Sequence, residues 1–462
     1  MRTSRHSYRR IDAGSVRIER SGWKKEWKKA CRKLSAMALT ALLSVACTGC
    51  AGTGDTESDQ QDLPVSDDRN AQGEQENMEN DTKSEDYLPL PTSFATEEEL
   101  AASDAWESCN DAELASVMLR AEQGEPITIA CIGGSITQGT IAEGSRDDQV
   151  EQVRPYAEIY QQWWTDRFPQ SNITFVNAGI GGTDSYLGLH RLNRDVLAYH
   201  PDMVLVEFSV NDADSNFYKC SYENLIRKLL LSEDTPAVML LFMAQTNGAT
   251  AQNSHVLTGF HYNLPMVSYS NCMHAMMEDG HYTAKELSGD EVHPSGLGHA
   301  VVGEILWRYL NQVYEDRENA ASMEFRIAEA LSKDKYMDGD LWDSQSLTPD
   351  VLGTFAEEDT IWQFPNGWKT TEGDGGITFT ADFRNLGILY MKTTDGKSGD
   401  YEIWIDGEYA HTIHGDFTGG WGNAITAEEA YSSDSAAGHT VEIRKAEDSE
   451  NEQLILLGLL PS

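Results

Sequence analysis

Between residues 127 and 139 the chain reads Ile-Thr-Ile-Ala-Cys-Ile-Gly-Gly-Ser-Ile-Thr-Gln-Gly, a short apolar run that ends in two glycines and a serine. Ile127, Ile129, Cys131 and Ile132 give the nearly continuous apolar pattern of an inner parallel strand covered on both faces. Gly133 and Gly134 then permit a tight turn that side chains would obstruct. Ser135 is the first reactive group after the turn, at the carboxyl end of a strand, where open α/β sheets hold their ligands. A serine there also serves as a plain helix N-cap, so this stretch alone leaves both roles open.

The pattern of the first strand recurs. Ile173 to Asn177 reads as a second strand and runs into Asn-Ala-Gly-Ile-Gly-Gly182. Met203 to Phe208 reads as a third and ends in Ser-Val-Asn-Asp212. Ala237 to Phe242 is a fourth, and a short fifth lies near Met266. Helices are expected from about Ala112 to Gln123, from Pro155 through Phe168, over Tyr186 to His200, over Tyr222 to Leu231, and over Ala300 to Tyr314. Gln245 to Leu264 reads as a polar loop. Strands that alternate with helices predict a parallel sheet covered on both faces.

After about Leu347 the period changes to two. Runs at Ile377–Phe383, Gly387–Lys392, Tyr401–Ile405, Tyr409–Ile413, Thr440–Arg444 and Leu454–Leu460 predict a small β-sandwich, and Asp406-Gly407 marks a tight hairpin. Residues 321–346 read as a helical connector. The expected organisation is a leader (1–50), an acidic linker without a core of its own (51–94), an α/β domain (95–320), the connector, and an all-β domain (347–462).

Charge excludes one class of partner. The chain carries a formal net charge of -40, and residues 1–49 hold only 3 of its 75 acidic residues, so the body is acidic throughout. Such a body repels nucleic acid phosphates. The basic stretch Lys24 to Lys33 precedes the apolar run Leu34 to Ala46, which is too short for the ~20 residues of a bilayer span but suits an export signal. Ser-Val-Ala-Cys-Thr-Gly-Cys50 follows and resembles a bacterial lipobox, with Cys50 as the expected lipidated residue and Cys47 as the other candidate. An exported protein held at the cell surface by lipid alone is therefore expected, or a secreted one if Cys50 stays unmodified. Cys109, Cys131, Cys220 and Cys272 are too scattered for a zinc site or a disulfide scaffold.

Parallel strands bring Ser135, Asn177, Gly182 and Asn211 to one edge of the sheet. Asp290 and His293, three residues apart, stand just before the last long helix. Ester cleavage needs a nucleophile, a base, a carboxylate to orient the base, and donors for a developing oxyanion. One loop could deliver base and carboxylate together. Asn177 reads as a turn residue, Asp212 as a brace, and His299 as a packing group at the helix start. Arg154, Asp184 and His190 are candidates to line a cleft.

Four blocks, Gly133-Gly-Ser135, Asn177 to Gly182, Ser209-Val-Asn-Asp212 and Asp290 to Pro294, resemble those of the SGNH, or GDSL-type, hydrolase family over about residues 125–315. The resemblance implies a flavodoxin-like α/β/α domain. It also implies Ser135 as nucleophile, His293 as base, Asp290 as its partner, and an oxyanion hole from the N–H groups of Ser135 and Gly182 with the amide of Asn211. No cofactor is called for. Two positions depart from the family pattern: Gly134 replaces the usual aspartate, and Ser209 the usual glycine.

The expected activity is a serine esterase acting on short acyl esters, above all acetyl groups on a polysaccharide. A glycan-binding protein without catalysis, an acyltransferase and a lipase are the alternatives. Trp362, Trp368, Trp404 and Trp421 of the β-domain could stack on sugars. Trp404, inside a strand, reads instead as filling the sandwich core or the interface with the α/β domain, and Trp421, in Gly419-Gly-Trp-Gly422, is open to either reading.

Overall fold

A computed structural model describes residues 92–104, 106, 109–370 and 375–462. The expected export signal, Cys50 and nearly all of the expected acidic linker lie outside the described residues.

Five parallel strands form the first sheet: β1 (Ile127–Gly133), β2 (Ile173–Gly179), β3 (Met203–Glu207), β4 (Ala237–Phe242) and β5 (Met266–Ser268). Their order is β2-β1-β3-β4-β5, the flavodoxin-like arrangement. Alternate side chains of each strand enter opposite cores. Ile127, Ile129 and Cys131 meet helices α1 (Ala112–Glu122), α2 (Tyr156–Arg167), α6 (Tyr269–Glu278) and α7 (Gly296–Glu315). Ala130 and Ile132 meet α3 (Ser185–His190), α4 (Asn216–Leu230) and α5 (Gln252–Tyr262) on the other face. Cys131 is a packing residue, and all four described cysteines are free.

Several helix boundaries differ from the sequence reading. The run expected over Tyr186 to His200 breaks at Arg191, whose buried guanidinium donates to the carbonyls of Ala178 and Gly133 at the strand ends. The expected loop Gln245 to Leu264 contains α5, which a polar sequence conceals because its buried side chains are themselves polar. Ser254 donates to Asp214, and His255 pairs with Asp212. The last long helix, α7, starts earlier than expected, at Gly296, with Ser295 as its cap accepting from the Gly298 N–H.

The connector 321–346 is not helical beyond Ala321. Its backbone is instead satisfied by side chains of α4. Glu223 accepts the N–H groups of Leu331 and Ser332, Asn224 pairs with Lys333 and Tyr336, and Arg227 donates to the Ala328 carbonyl. These tertiary hydrogen bonds override the local helix propensity of the stretch.

The β-domain has strands β6 (Phe355–Ile361), β7 (Phe364–Thr370), β8 (Ile377–Lys392), β9 (Asp400–Ile405), β10 (Glu408–His414), β11 (Ala424–Lys445) and β12 (Leu454–Pro461). The runs 377–383 and 387–392 are one long strand. All seven strands are antiparallel and hydrogen-bonded in the order β10-β9-β11-β8-β12-β7-β6. β6 and β9 lie five strand spacings apart, ~24 Å in a flat sheet. Yet Phe355 and Tyr401 touch, with ring centroids 6.0 Å apart. The sheet therefore curls onto itself and encloses its own core, with register shifts in β11 where it bends. Asp406 and Gly407 both take positive φ in the expected hairpin between β9 and β10.

The outer face of this sheet is apolar where it meets the α/β domain. Leu389, Met391, Ile425, Leu457 and Leu460 join the same core as α3 and α4. Trp368 is buried in the sandwich core. Trp404, expected in the core or at the domain interface, lies half-buried on the other face of β9 with Arg444 stacked 4.0 Å from its ring centroid.

Candidate active site

The carboxyl ends of β1, β2 and β3 converge. Gly134 leads into the helical turn Ser135–Gln138. Ser135 Oγ lies 2.8 Å from His293 Nε2, and His293 Nδ1 lies 2.7 Å from Asp290 Oδ2. The loop before α7 presents the last two residues as a unit. Asp290 Oδ1 accepts the N–H groups of Val292 at 2.9 Å and His293 at 2.7 Å, and Glu291 between them takes a left-handed φ of 71°. Burial raises the Asp290 carboxyl, but hydrogen bonds from the His293 ring and from the His293 and Val292 N–H groups outweigh it and hold the group below its usual range. The geometry has the arrangement of a serine–histidine–carboxylate triad, with the carboxylate on one ring nitrogen and the hydroxyl on the other.

The residues expected as oxyanion donors lie near Ser135. A Cβ built on Gly181 would lie 3.6 Å from Ser135 Cβ, so the β2 turn runs directly past the serine. Gln138 Oε1 takes the N–H of Gly181 at 2.6 Å. Gly182, at φ 73°, follows it. Asn211 stands against Gly134, and its side-chain amide makes no hydrogen bond among the described residues. Asn177, expected in a turn, lies within β2, but its side chain has a structural role: it donates to the Thr137 carbonyl and accepts from the Gly179 N–H.

A family model described as "GDSL-like Lipase/Acylhydrolase family" matches residues 131–301. The crystal structure of CEX, a two-domain esterase active on acetylated mannans, shares 30% identity with the chain and superposes with a TM-score of 0.71, covering 79% of this chain and 98% of that one. The same esterase co-crystallized with mannopentaose gives 30% identity and a TM-score of 0.70, over 79% and 97%. The chain belongs to the GDSL-like hydrolase family. It is thus an ester hydrolase with a second, all-β domain. No curated protein sequence matches it.

The two departures from the GDSL pattern have structural roles. Gly134 leaves the space that Asn211 occupies. Ser209, fully buried, accepts the Met243 N–H at 2.7 Å and donates to the Met243 carbonyl at 2.9 Å, stitching the end of β3 to the end of β4.

Asp212 is a brace, as the sequence suggested, whereas its partner His255 and the group beneath Ser135 were not apparent from sequence. Asp212 accepts the Ser185 N–H at 2.9 Å with one oxygen and pairs with His255 Nε2 at 2.9 Å with the other. It thereby ties the Asn211 turn to the segment that follows Gly182. His255 sits in the polar helix α5, stacked on Tyr222 at 3.6 Å, and no periodic signal marks it. Beneath Ser135, Thr137 bonds Tyr156 OH at 2.8 Å and lies 3.4 Å from Glu207, whose carboxyl burial pushes up to about 7.

The other expected residues separate. His299 holds the loops from below: Nε2 donates to the Thr140 carbonyl and Nδ1 accepts the Tyr156 N–H. His190 is fully buried against Tyr186 and Tyr336, so it lines no cleft. Arg154 donates to Gln162 beside a separate pocket with Phe94 and Val150. Asp184 caps α3 and accepts Tyr218 OH at 2.9 Å, and it does line a cavity of about 330 Å³ that begins at Gly182. The far wall of that cavity is the β-domain: Lys392, Phe417, Trp421 and residues 424–427. Trp421 is 76% exposed.

Proposed function

We propose that this ester hydrolase removes acetyl groups from a polysaccharide through an acyl-enzyme on Ser135. His293 Nε2 takes the Ser135 proton as Oγ attacks the ester carbonyl. The N–H groups of Ser135 and Gly182 and the amide of Asn211 receive the oxyanion. His293 then gives its proton to the departing sugar oxygen, and the C–O bond breaks. Water, deprotonated by the same imidazole, attacks the acyl-enzyme, and the proton returns to Ser135 as acetate leaves.

The observation that carries this reading is the pair of hydrogen bonds linking Ser135, His293 and Asp290 beside the Gly181–Gly182 turn. The polysaccharide is supported by the 30% identical two-domain esterase active on acetylated mannans and by the exposed indole of Trp421 next to Gly182. Placement at the cell surface through a lipid on Cys50 is part of the same proposal. It rests on the basic stretch, apolar run and lipobox-like residues of the leader.

The test is release of p-nitrophenol from acetate and octanoate esters, with acetate release from acetylated mannan alongside, for the wild type and Ser135→Ala. Acetate activity that Ser135→Ala abolishes supports the reading. A preference for octanoate makes the protein a lipase, and undiminished turnover by Ser135→Ala removes the acyl-enzyme.

A further inference from the structure

The two most exposed large apolar side chains among the described residues are Trp421 and Trp362, at 76% and 75%. Both belong to loops of the β-domain, and both face one segment of the α/β domain. Trp421 stands at Gly182. Trp362 is at the tip of the β6–β7 hairpin and lines a second cavity, of about 380 Å³, against Val176 to Ile180 at the end of β2. That volume falls within the range of about 300–1,000 Å³ typical of ligand pockets. An indole on a hairpin tip gains little from folding, and its exposed face is available to a ligand.

The rest of this cavity is aromatic and polar, with one ion pair and one carboxylate held by neutral donors. Tyr199, 54% exposed, provides a second ring. Arg194 is forked onto Asp195 at 2.5 and 3.1 Å and covers Phe364 at 4.7 Å. Asp343 accepts from Asn366 at 3.2 Å. Amides, a carboxylate acceptor and the paired Arg194 beside two aromatic faces suit a polyhydroxylated ligand without negative charge, with apolar C–H faces for the rings and hydroxyls for the amides and the carboxylate. β2 is also an edge strand, so backbone groups on its open side are available as partners.

The cavity and Ser135 flank the same short segment of chain, the end of β2 and the turn after it. The cavity floor ends at Ile180, and the next residue, Gly181, passes Ser135. We propose that Trp362 and Tyr199 form a distal sugar subsite that holds the neutral polysaccharide chain whose acyl group lies at Ser135. The inference rests on the polysaccharide esterase reading and extends it to a second contact along the chain.

The test uses the full chain, with wild type, Trp362→Ala, Trp362→Phe and Tyr199→Ala. For acetylated glucomannan, Trp362→Ala should raise KM about tenfold with kcat retained, a change worth about 1.4 kcal/mol. Trp362→Phe should recover most of the loss, and Tyr199→Ala should show a smaller rise. p-Nitrophenyl acetate is too small to span the cavity and serves as the reference for folding. A polymer KM that does not move in Trp362→Ala and Tyr199→Ala overturns the subsite. If the wild type cleaves p-nitrophenyl acetate but no acetylated polysaccharide, the substrate proposal fails separately. Electrophoresis of Ser135→Ala through gels containing unsubstituted glucomannan, with and without Trp362→Ala, then decides the sugar site. Retardation lost with Trp362 upholds it, and equal mobility ends it.

Discussion

A Cβ placed on Gly134 would lie 2.4 Å from Oδ1 of Asn211. The glycine that stands where the family usually has aspartate is thus the space in which the proposed oxyanion amide sits. The obstructing atom is the end of a side chain, so Asn211 can swing away at little cost to the fold. Gly134→Ala should therefore leave the melting temperature nearly unchanged and lower kcat on p-nitrophenyl acetate by about 10²–10³, the cost of one lost oxyanion donor. Asn211→Ala should do the same. The double variant should be no worse than either single one, because both remove the same interaction. Additive losses would show that Gly134 acts by another route.

Asp290→Asn should lower kcat by about 10⁴, since an amide no longer holds the Nδ1–H tautomer of His293. The loop itself tests how that geometry is kept. Glu291 holds a left-handed φ of 71° that glycine adopts freely and a β-branched residue resists. Glu291→Gly should keep full activity, whereas Glu291→Val should reduce both kcat and stability. Equal behaviour of the two variants in esterase assays and thermal melts would remove the backbone from the argument.

Much of this arrangement was legible in the sequence, and the reason is local. Ser135, Asn211 and the pair Asp290 and His293 each follow an apolar strand or precede a long amphipathic helix, so parallel topology alone brings them to one edge. What escaped depends on contacts between distant segments. Helix α5 has no apolar stripe because Ser254 and His255 face Asp214 and Asp212. The connector near Leu331 has helical composition, but Glu223 and Asn224 take its backbone hydrogen bonds. Trp404 lies in a strand with the right period for burial, yet it occupies the outer face with Arg444. Nothing in Gly419-Gly-Trp-Gly422 specifies that its indole reaches Gly182.

That last contact makes a functional prediction. A Cβ on Gly182 would lie 3.6 Å from Cη2 of Trp421, so the β-domain supplies a wall within one residue layer of the proposed oxyanion turn. Phe417 braces the indole edge-on, with ring centroids 6.0 Å apart. Trp421→Ala should raise KM for acetylated mannan about tenfold or more and change kcat/KM for p-nitrophenyl acetate far less. An equal effect on both substrates would mean that Trp421 shapes the turn at Gly182 and does not hold the sugar.

Glu207 gives the last prediction, through pH. Burial pushes its carboxyl up to about 7, from an ordinary value of 4.5. Below pH 4.5 the group is protonated in both folded and unfolded chains, and it has no effect on the balance between them. Between 4.5 and 7 the unfolded chain releases the proton while the folded protein keeps it, so stability falls as pH rises. Above 7 the loss is complete, about 3 kcal/mol at roughly 1.4 kcal/mol per pKa unit. Glu207→Gln keeps the shape and one acceptor for Thr137 or Ser209 but cannot ionise. His190 and His299, both lowered to about 4 by burial, destabilise the fold as pH drops from 6.5 toward 4 in either protein, and so cancel from the comparison. Urea unfolding of wild type and Glu207→Gln at pH 4.5 and pH 8 reads the difference directly. The variant should gain on the wild type by about 3 kcal/mol between the two pH values. A constant difference would mean that Glu207 shares its proton with a partner in the unfolded chain, or that water reaches it beneath Ser135.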